Sequence, residues 1–221
     1  MTFPFPIVAP FSTPATIAYC DEDSSESNLT TYTFTSVGIG TAAADRFVLC
    51  AAMAPANSGT RSFSSVTIGG ISATQLVTVA DASGFSEWAI YGASVPTGTT
   101  ATIVVVLDTA PDRCGIMTFE ANNLQSTTPT ATATQNTASA ALTQSITVQS
   151  DGFILACAGI ENSASRWGWT NLTEDIDADI GSGGSSMTAA SDEYDAGATP
   201  SITATPTSTG SRQGLVMVAM R

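Results

Sequence analysis

An all-β sandwich is the fold this sequence predicts, and three observations predict it. Residues 45–53 are apolar on both alternating faces: Phe47, Leu49, Ala51 and Met53 point one way, Val48, Cys50 and Ala52 the other. A run that short reads as a strand buried on both sides. A second run of the same kind fills 151–159, where Phe153, Leu155 and Cys157 alternate with Ile154, Ala156 and Ala158. Helical periodicity is absent, and strand-like segments recur between Gly, Pro and Asn punctuation at the roughly 8–12-residue spacing of sandwiches and barrels.

Taken in order, residues 1–27 read as an extended, Pro-rich N-terminal arm. Pro4, Pro6, Pro10 and Pro14 remove backbone donors and favour polyproline or edge-strand geometry. Phe3, Phe5, Ile7, Val8 and Phe11 are too apolar for a solvated tail, so they are expected to dock on this domain's flank or on a neighbouring subunit. Asp21, Glu22, Asp23 and Glu26 then form a polar segment expected to be mobile.

The body, 28–221, divides into two similar halves, about 28–121 and 139–221, joined by a Thr-rich polar connector. In the first half, strands are expected at 30–37, 46–53, 65–68, 72–79, 87–95, 100–107 and 113–120. An offset of 106 pairs Asp45 with Asp151, Leu49 with Leu155, Phe63 with Trp169 and Val66 with Leu172. After the Gly69-Gly70 region the offset becomes 99, pairing Gly98 with Gly197, Ile103 with Ile202 and Arg113 with Arg212. The second half has thus lost 106 − 99 = 7 residues, assigned here to one loop. Strands that are apolar on both faces need cover, so the halves are expected to share one jelly-roll-like or lectin-like β-sandwich.

Composition narrows the chemistry. There is no His and no Lys, and all six positive charges are Arg, against 19 acids, for a net charge of −13. Phosphate-backbone binding needs clustered cations, so a nucleic-acid partner is not expected. No window approaches the ~20 apolar residues of a membrane helix. The N-terminus has no basic region ahead of an apolar core, so no signal peptide is expected. The four cysteines (Cys20, Cys50, Cys114, Cys157) are too few for a disulfide scaffold and read as small hydrophobes suited to a reducing cytoplasm.

Without His there is no Ser-His-Asp or Cys-His arrangement, and without Lys no Schiff base or Ser-Lys pair. Paired carboxylates remain, and Glu87 and Glu120 are the Glu residues placed in expected strands. Both also fit outward-facing strand positions, and no enzymatic activity is expected. Asp175, Asp177 and Asp179 alternate in an acidic loop that could wrap a calcium ion through oxygen ligands. The loop departs from the EF-hand pattern, however, with Gly181 one place late and Ser186 where the bidentate Glu belongs. Trp167 and Trp169 flank Gly168, so in a strand both rings face one side and could stack on a surface glycan. Of the two, Trp169 pairs with Phe63 as a core residue would, and Trp167 is the better surface candidate.

The segments 65–74 (Ser65-Val-Thr-Ile-Gly-Gly-Ile-Ser-Ala-Thr74) and 95–104 (Val95-Pro-Thr-Gly-Thr-Thr-Ala-Thr-Ile-Val104) resemble small β-sandwich proteins of tailed-phage and prophage-like virion gene clusters. Residues 151–156, with the Trp-x-x-Leu-Thr that follows, resemble them too. The resemblance implies a capsid-decoration, head-spike or tail/fibre role, with other virion proteins or copies of itself as partners. It implies a virion location after assembly in the bacterial host cytoplasm, and it transfers no functional residue. The alternative from another class is a carbohydrate-binding or receptor-binding module using Trp167, Trp169 and calcium.

Overall fold

The computed structural model describes residues 13–137, 141–161, 163, 165–181, 184–208 and 212–221. The first half contributes β1 (Thr16–Ser25), β2 (Thr31–Gly38), β3 (Phe47–Ala54), β4 (Phe63–Ile68), β5 (Ile71–Ser72), β6 (Thr74–Ala80), β7 (Glu87–Ser94), β8 (Thr100–Leu107) and β9 (Cys114–Asn122). The second contributes β10 (Ala131–Asn136), β11 (Leu142–Ser145), β12 (Gly152–Glu161), β13 (Trp167–Thr170), β14 (Thr173–Asp179), β15 (Ser185–Tyr194), β16 (Ser201–Pro206) and β17 (Gln213–Met220). The fold is all-β and every strand pairing is antiparallel.

Each half has jelly-roll strand order. The first sets a five-stranded sheet, β1-β9-β3-β7-β6, against a four-stranded sheet, β2-β8-β4-β5. The second sets β10-β17-β12-β15-β14 against β11-β16-β13. The two five-stranded sheets then pack face to face. Three cores result: one inside each half, and one between halves that holds Phe47, Leu49, Met53, Trp88, Phe153, Leu155 and Val218. The core between the halves is the middle of four layers, and each half also encloses a core of its own. A lone two-sheet sandwich covers only one face of each strand, whereas β3 and β12 are buried at every residue. Four layers satisfy both faces.

Ladder registers repeat between the halves. Ala51 faces Met117 and Ile90, and Cys157, at offset 106, faces Val216 and Ala189, at offset 99. A bulge falls between Gln75 and Val77, and another between Glu174 and Ile176, again 99 apart. Two sequence pairings are corrected. Phe63 faces Leu107 and Trp167 faces Pro206, so Trp167, not Trp169, holds the Phe63 place; Val66 likewise corresponds to Trp169, not Leu172. The shortening is also spread over more than one loop. Six residues, 68–73, separate Thr67 from Thr74, while only Asn171 and Leu172 separate Thr170 from Thr173, so four of the seven are lost where β5 stands in the first half.

Within the stretch expected to be an arm, Thr16–Ser25 form β1, where Asp21, Glu22 and Asp23 of the acidic segment face Thr118, Met117 and Ile116, and Glu26 lies just past its end. Its polar residues lie on an edge strand, and Asp21 accepts the Gly38 N–H at 2.7 Å. The arm residues Phe3, Phe5, Ile7, Val8 and Phe11 lie outside the described residues.

The halves meet through reciprocal contacts. Trp88 of β7 lies on Gly214 and Gly159, where an added Cβ would collide with the indole. Its counterpart Met187 lies on Gly115, with Sδ 3.0 Å from where a Cβ would stand. At the rim, Arg212 ion-pairs with Glu161 and, at 3.9 Å, with Asp81, and stacks over Phe85 at 4.8 Å. Its counterpart Arg113 reaches the Ile180 carbonyl at 3.4 Å, beside Gly184. Ile180 and Gly184 are the 99-offset partners of Asp81 and Phe85, so each arginine grips the same hairpin of the opposite half.

Two expectations follow. Gly214→Ala overpacks the Trp88 contact and should cost about 1–3 kcal/mol in denaturant unfolding. Gly168→Ala, with nothing within 4 Å of the new methyl, should be near neutral. Arg212→Met leaves buried Glu161 without its cation and should cost about 3–5 kcal/mol, whereas Arg113→Met, which removes no ion pair among the described residues, should cost under about 1 kcal/mol. Equal losses for the two arginines would contradict this account.

Candidate functional site

The segment leading into β1 is fixed by both halves. Ala15 is buried in the shared core. Its N–H donates to the Asp151 carbonyl at 2.9 Å, and the Ile17 N–H donates to Glu193 Oε1 at 3.0 Å. Both acceptors belong to the second half, while β1 itself pairs with β9 of the first. The start of β1 is therefore tied to both halves at once.

The tryptophan pair does face one side, as alternation requires, but that side is the second half's own core. Trp167 is 6% exposed, and its indole Nε1–H donates to Ser186 Oγ at 3.2 Å. Trp169 is half-buried and donates to Thr188 Oγ1 at 3.0 Å. The expected ranking is thus reversed, because Trp167 occupies the Phe63 place. A buried ring offers no face to a sugar, so Trp167 is no glycan platform.

The acidic loop is a strand. Asp175, Asp177 and Asp179 lie on β14, where the bulge at Asp175 breaks their alternation. Asp177 Oδ2 accepts the Trp167 N–H at 2.9 Å, and both Asp179 oxygens accept from Arg166 at 3.2 Å. Two of the three carboxylates are thus committed to protein partners. Among the described residues no group of three or more His, Cys, Asp or Glu side chains is placed to hold a metal ion.

Glu87 and Glu120 are not a carboxylate pair. Glu87 faces Ala54 at one end of β3 and Glu120 faces Val48 near the other, six residues or roughly 20 Å apart. Glycosidic carboxyls stand about 5–9.5 Å apart. Glu87 is buried and accepts the Phe63 N–H at 2.6 Å and the Thr78 hydroxyl at 2.7 Å, a structural set of bonds. Glu120 accepts the Thr41 N–H at 2.7 Å. The four cysteines are free thiols; burial pushes Cys50 up to about 12, so it is inert as a nucleophile near neutral pH.

Two surface concavities lie along β14. A cleft of about 390 Å³ opens where β1 and β14 approach, walled by Glu22, Asp23 and Asp179 over Met117 and Met187. A shallower depression of about 560 Å³ is lined by Asn171, Leu172, Thr173, Asp192, Tyr194 and Pro200. Sequence reasoning passed over Tyr194 and Asp192. The available signal was their place in the repeat, where the first half has Val95 and Ala93. No family model matches the chain, and no curated protein is significantly similar to it.

The carboxyls along this strand set a pH dependence. Burial raises Asp175 and Asp177 above the ordinary carboxylate range, and burial raises Glu87 against its two hydrogen bonds. In the window between the ordinary value and the raised one, the folded chain binds more protons than the unfolded chain, so stability falls as pH rises through it. Asp108, held low by bonds from Ser62, opposes this only at more acidic pH. Thermal unfolding should therefore give a higher Tm at roughly pH 5 than at pH 8, and Asp175→Asn should flatten the difference. A Tm that falls from pH 8 to pH 5 would contradict the assignment.

Proposed function

We propose that this chain is a non-enzymatic structural component of a phage-type virion, serving as capsid decoration, head spike or tail/fibre part. It is held there by contacts with copies of itself or with other virion proteins. The observation that carries the reading is at Ala15: this residue, which follows the apolar, Pro-rich stretch in sequence, is buried in the shared core and tied to the second half while β1 pairs with the first. Such a joint passes load from an anchored arm into the whole body instead of one sheet edge.

Other features support the same reading. The two-sheet jelly roll is an architecture of viral capsid and lectin domains, a fold-level analogy. Only 11% of residues are charged, which suits close protein–protein packing. Free buried thiols suit assembly in a reducing host cytoplasm, followed by residence in the virion.

Deleting residues 1–12 tests it, because the cut stops short of Ala15 and β1. The shortened chain should keep the Tm of the full chain but lose self-association in light scattering and co-sedimentation with purified phage-like particles. The proposal fails if both chains are monomers that ignore particles. It also fails if the deletion unfolds the body, since the arm would then be part of the fold and not an anchor.

A further inference from the structure

The two halves differ most where the second lacks β5, and that difference uncovers a site. In the first half the Gly69-Gly70 turn closes over the end of the sandwich. Gly69 stands over Val95 and Ala101, whose Cγ1 and Cβ are each 3.7 Å from where its Cβ would be. Beneath lie Ile68, Ala93 and Val95, all buried. In the second half no such turn is present, because Leu172 alone follows the residue corresponding to Ile68.

The residues under the missing cover change in kind. Registers put Asn171 at the Ile68 place, Asp192 at Ala93, Tyr194 at Val95 and Pro200 at Ala101. Four apolar positions have become an amide, a carboxylate, a phenol and a proline, and all four line the depression of about 560 Å³. Losing a cover only requires that the exposed positions turn polar. Placing an aromatic ring in the same depression as a carboxylate and an amide goes beyond that requirement, since the ring keeps apolar surface in contact with water.

We propose that this depression binds a neutral oligosaccharide. The half-buried Tyr194 packs its ring against the second half's core and offers a platform for the C–H face of a pyranose. Asp192 accepts from vicinal hydroxyls. Asn171 gives one amide hydrogen to the Ser201 carbonyl at 2.8 Å, which orients the group and leaves its other N–H and its carbonyl for the ligand. The Thr173 hydroxyl lies along the same wall. No Arg lines the depression, and Asp175 and Glu193 line the adjoining concavity, which shares Thr173 and Asp192. Sialic and uronic acids are therefore disfavoured, and a neutral sugar is selected. The open shape admits a stretch within a longer chain. The site does not depend on the virion assignment and needs no calcium.

The test uses the full chain with chitotetraose, cellotetraose, maltotetraose and mannotetraose, and with sialyllactose as the anionic control. Binding is read by saturation-transfer NMR and titration calorimetry. At least one neutral tetrasaccharide should bind with a Kd at or below about 1 mM. Tyr194→Val, which restores the first half's residue, should weaken it by about tenfold or more, while Tyr194→Phe keeps it within about threefold. If Tyr194→Val lowers the Tm, Asp192→Ala, again the first half's residue, takes its place with the same expected loss. The inference is overturned if no neutral tetrasaccharide binds, if sialyllactose is preferred, or if binding survives both substitutions unchanged.

Discussion

The packing of β3 and β12 on both of their faces is the constraint from which the architecture follows. Every side chain in either strand is buried, so each needs apolar cover in two directions. Within one half, the outer sheet covers one face; nothing in that half covers the other. The remaining face of β3 finds Leu155 and Val218 of the opposite half, and the remaining face of β12 finds Leu49 and Met53. A half on its own would expose a five-stranded apolar sheet to water, a surface far larger than soluble monomers leave bare. The four layers are thus a consequence of burying two double-sided strands.

How the sheets lock together follows from their repeated registers. In a two-fold symmetric interface, if one residue touches another, the reverse contact also occurs. Trp88 on Gly214 and Met187 on Gly115 obey that rule within a single chain, as do Arg212 with Asp81 and Phe85, and Arg113 with Ile180 and Gly184. The contacts are reciprocal in place but unequal in chemistry. One side has a large ring over two glycines and a charged network; the other has a thioether and a single carbonyl. A covalently joined pair can specialise its two copies of an interface, which two identical subunits cannot do.

Much of this was legible in the sequence, and the misses have physical causes. Double-sided apolar runs revealed β3 and β12, and the offsets of 106 and 99 recur in the ladders. The Phe63–Trp169 pairing failed because a two-residue slip preserves strand parity: both tryptophans still face the core, and only their depths exchange. The acidic β1 was hidden because an edge strand can be polar wherever it meets water. The alternating Asp residues of β14 gave the same pattern as a ligand loop, and only Arg166 and the Trp167 amide reveal them as strand positions with partners. Tyr194 was passed over for a related reason. Tryptophan draws attention by size, whereas the informative feature of Tyr194 is the residue it replaces.

Under the proposed glycan reading, that replacement would divide support and function between the two halves. The first half keeps Ile68, Ala93 and Val95 beneath a closed turn, an arrangement explained entirely by packing. The second half keeps the same ladder registers on either side, so removing the turn there leaves the frame of paired strands in place. Asp192 and Tyr194 lie at the end of β15, where β12 pairs with them through Ile154 and Gly152 and the β14 ladder has already ended at Ser191. On the proposed glycan reading, a ligand at these positions would meet side chains that β12 already holds in place. Had the substitutions been merely tolerated after the turn was lost, small polar residues would have sufficed at both positions. A half-buried tyrosine packed against the core is the feature that tolerance alone does not account for.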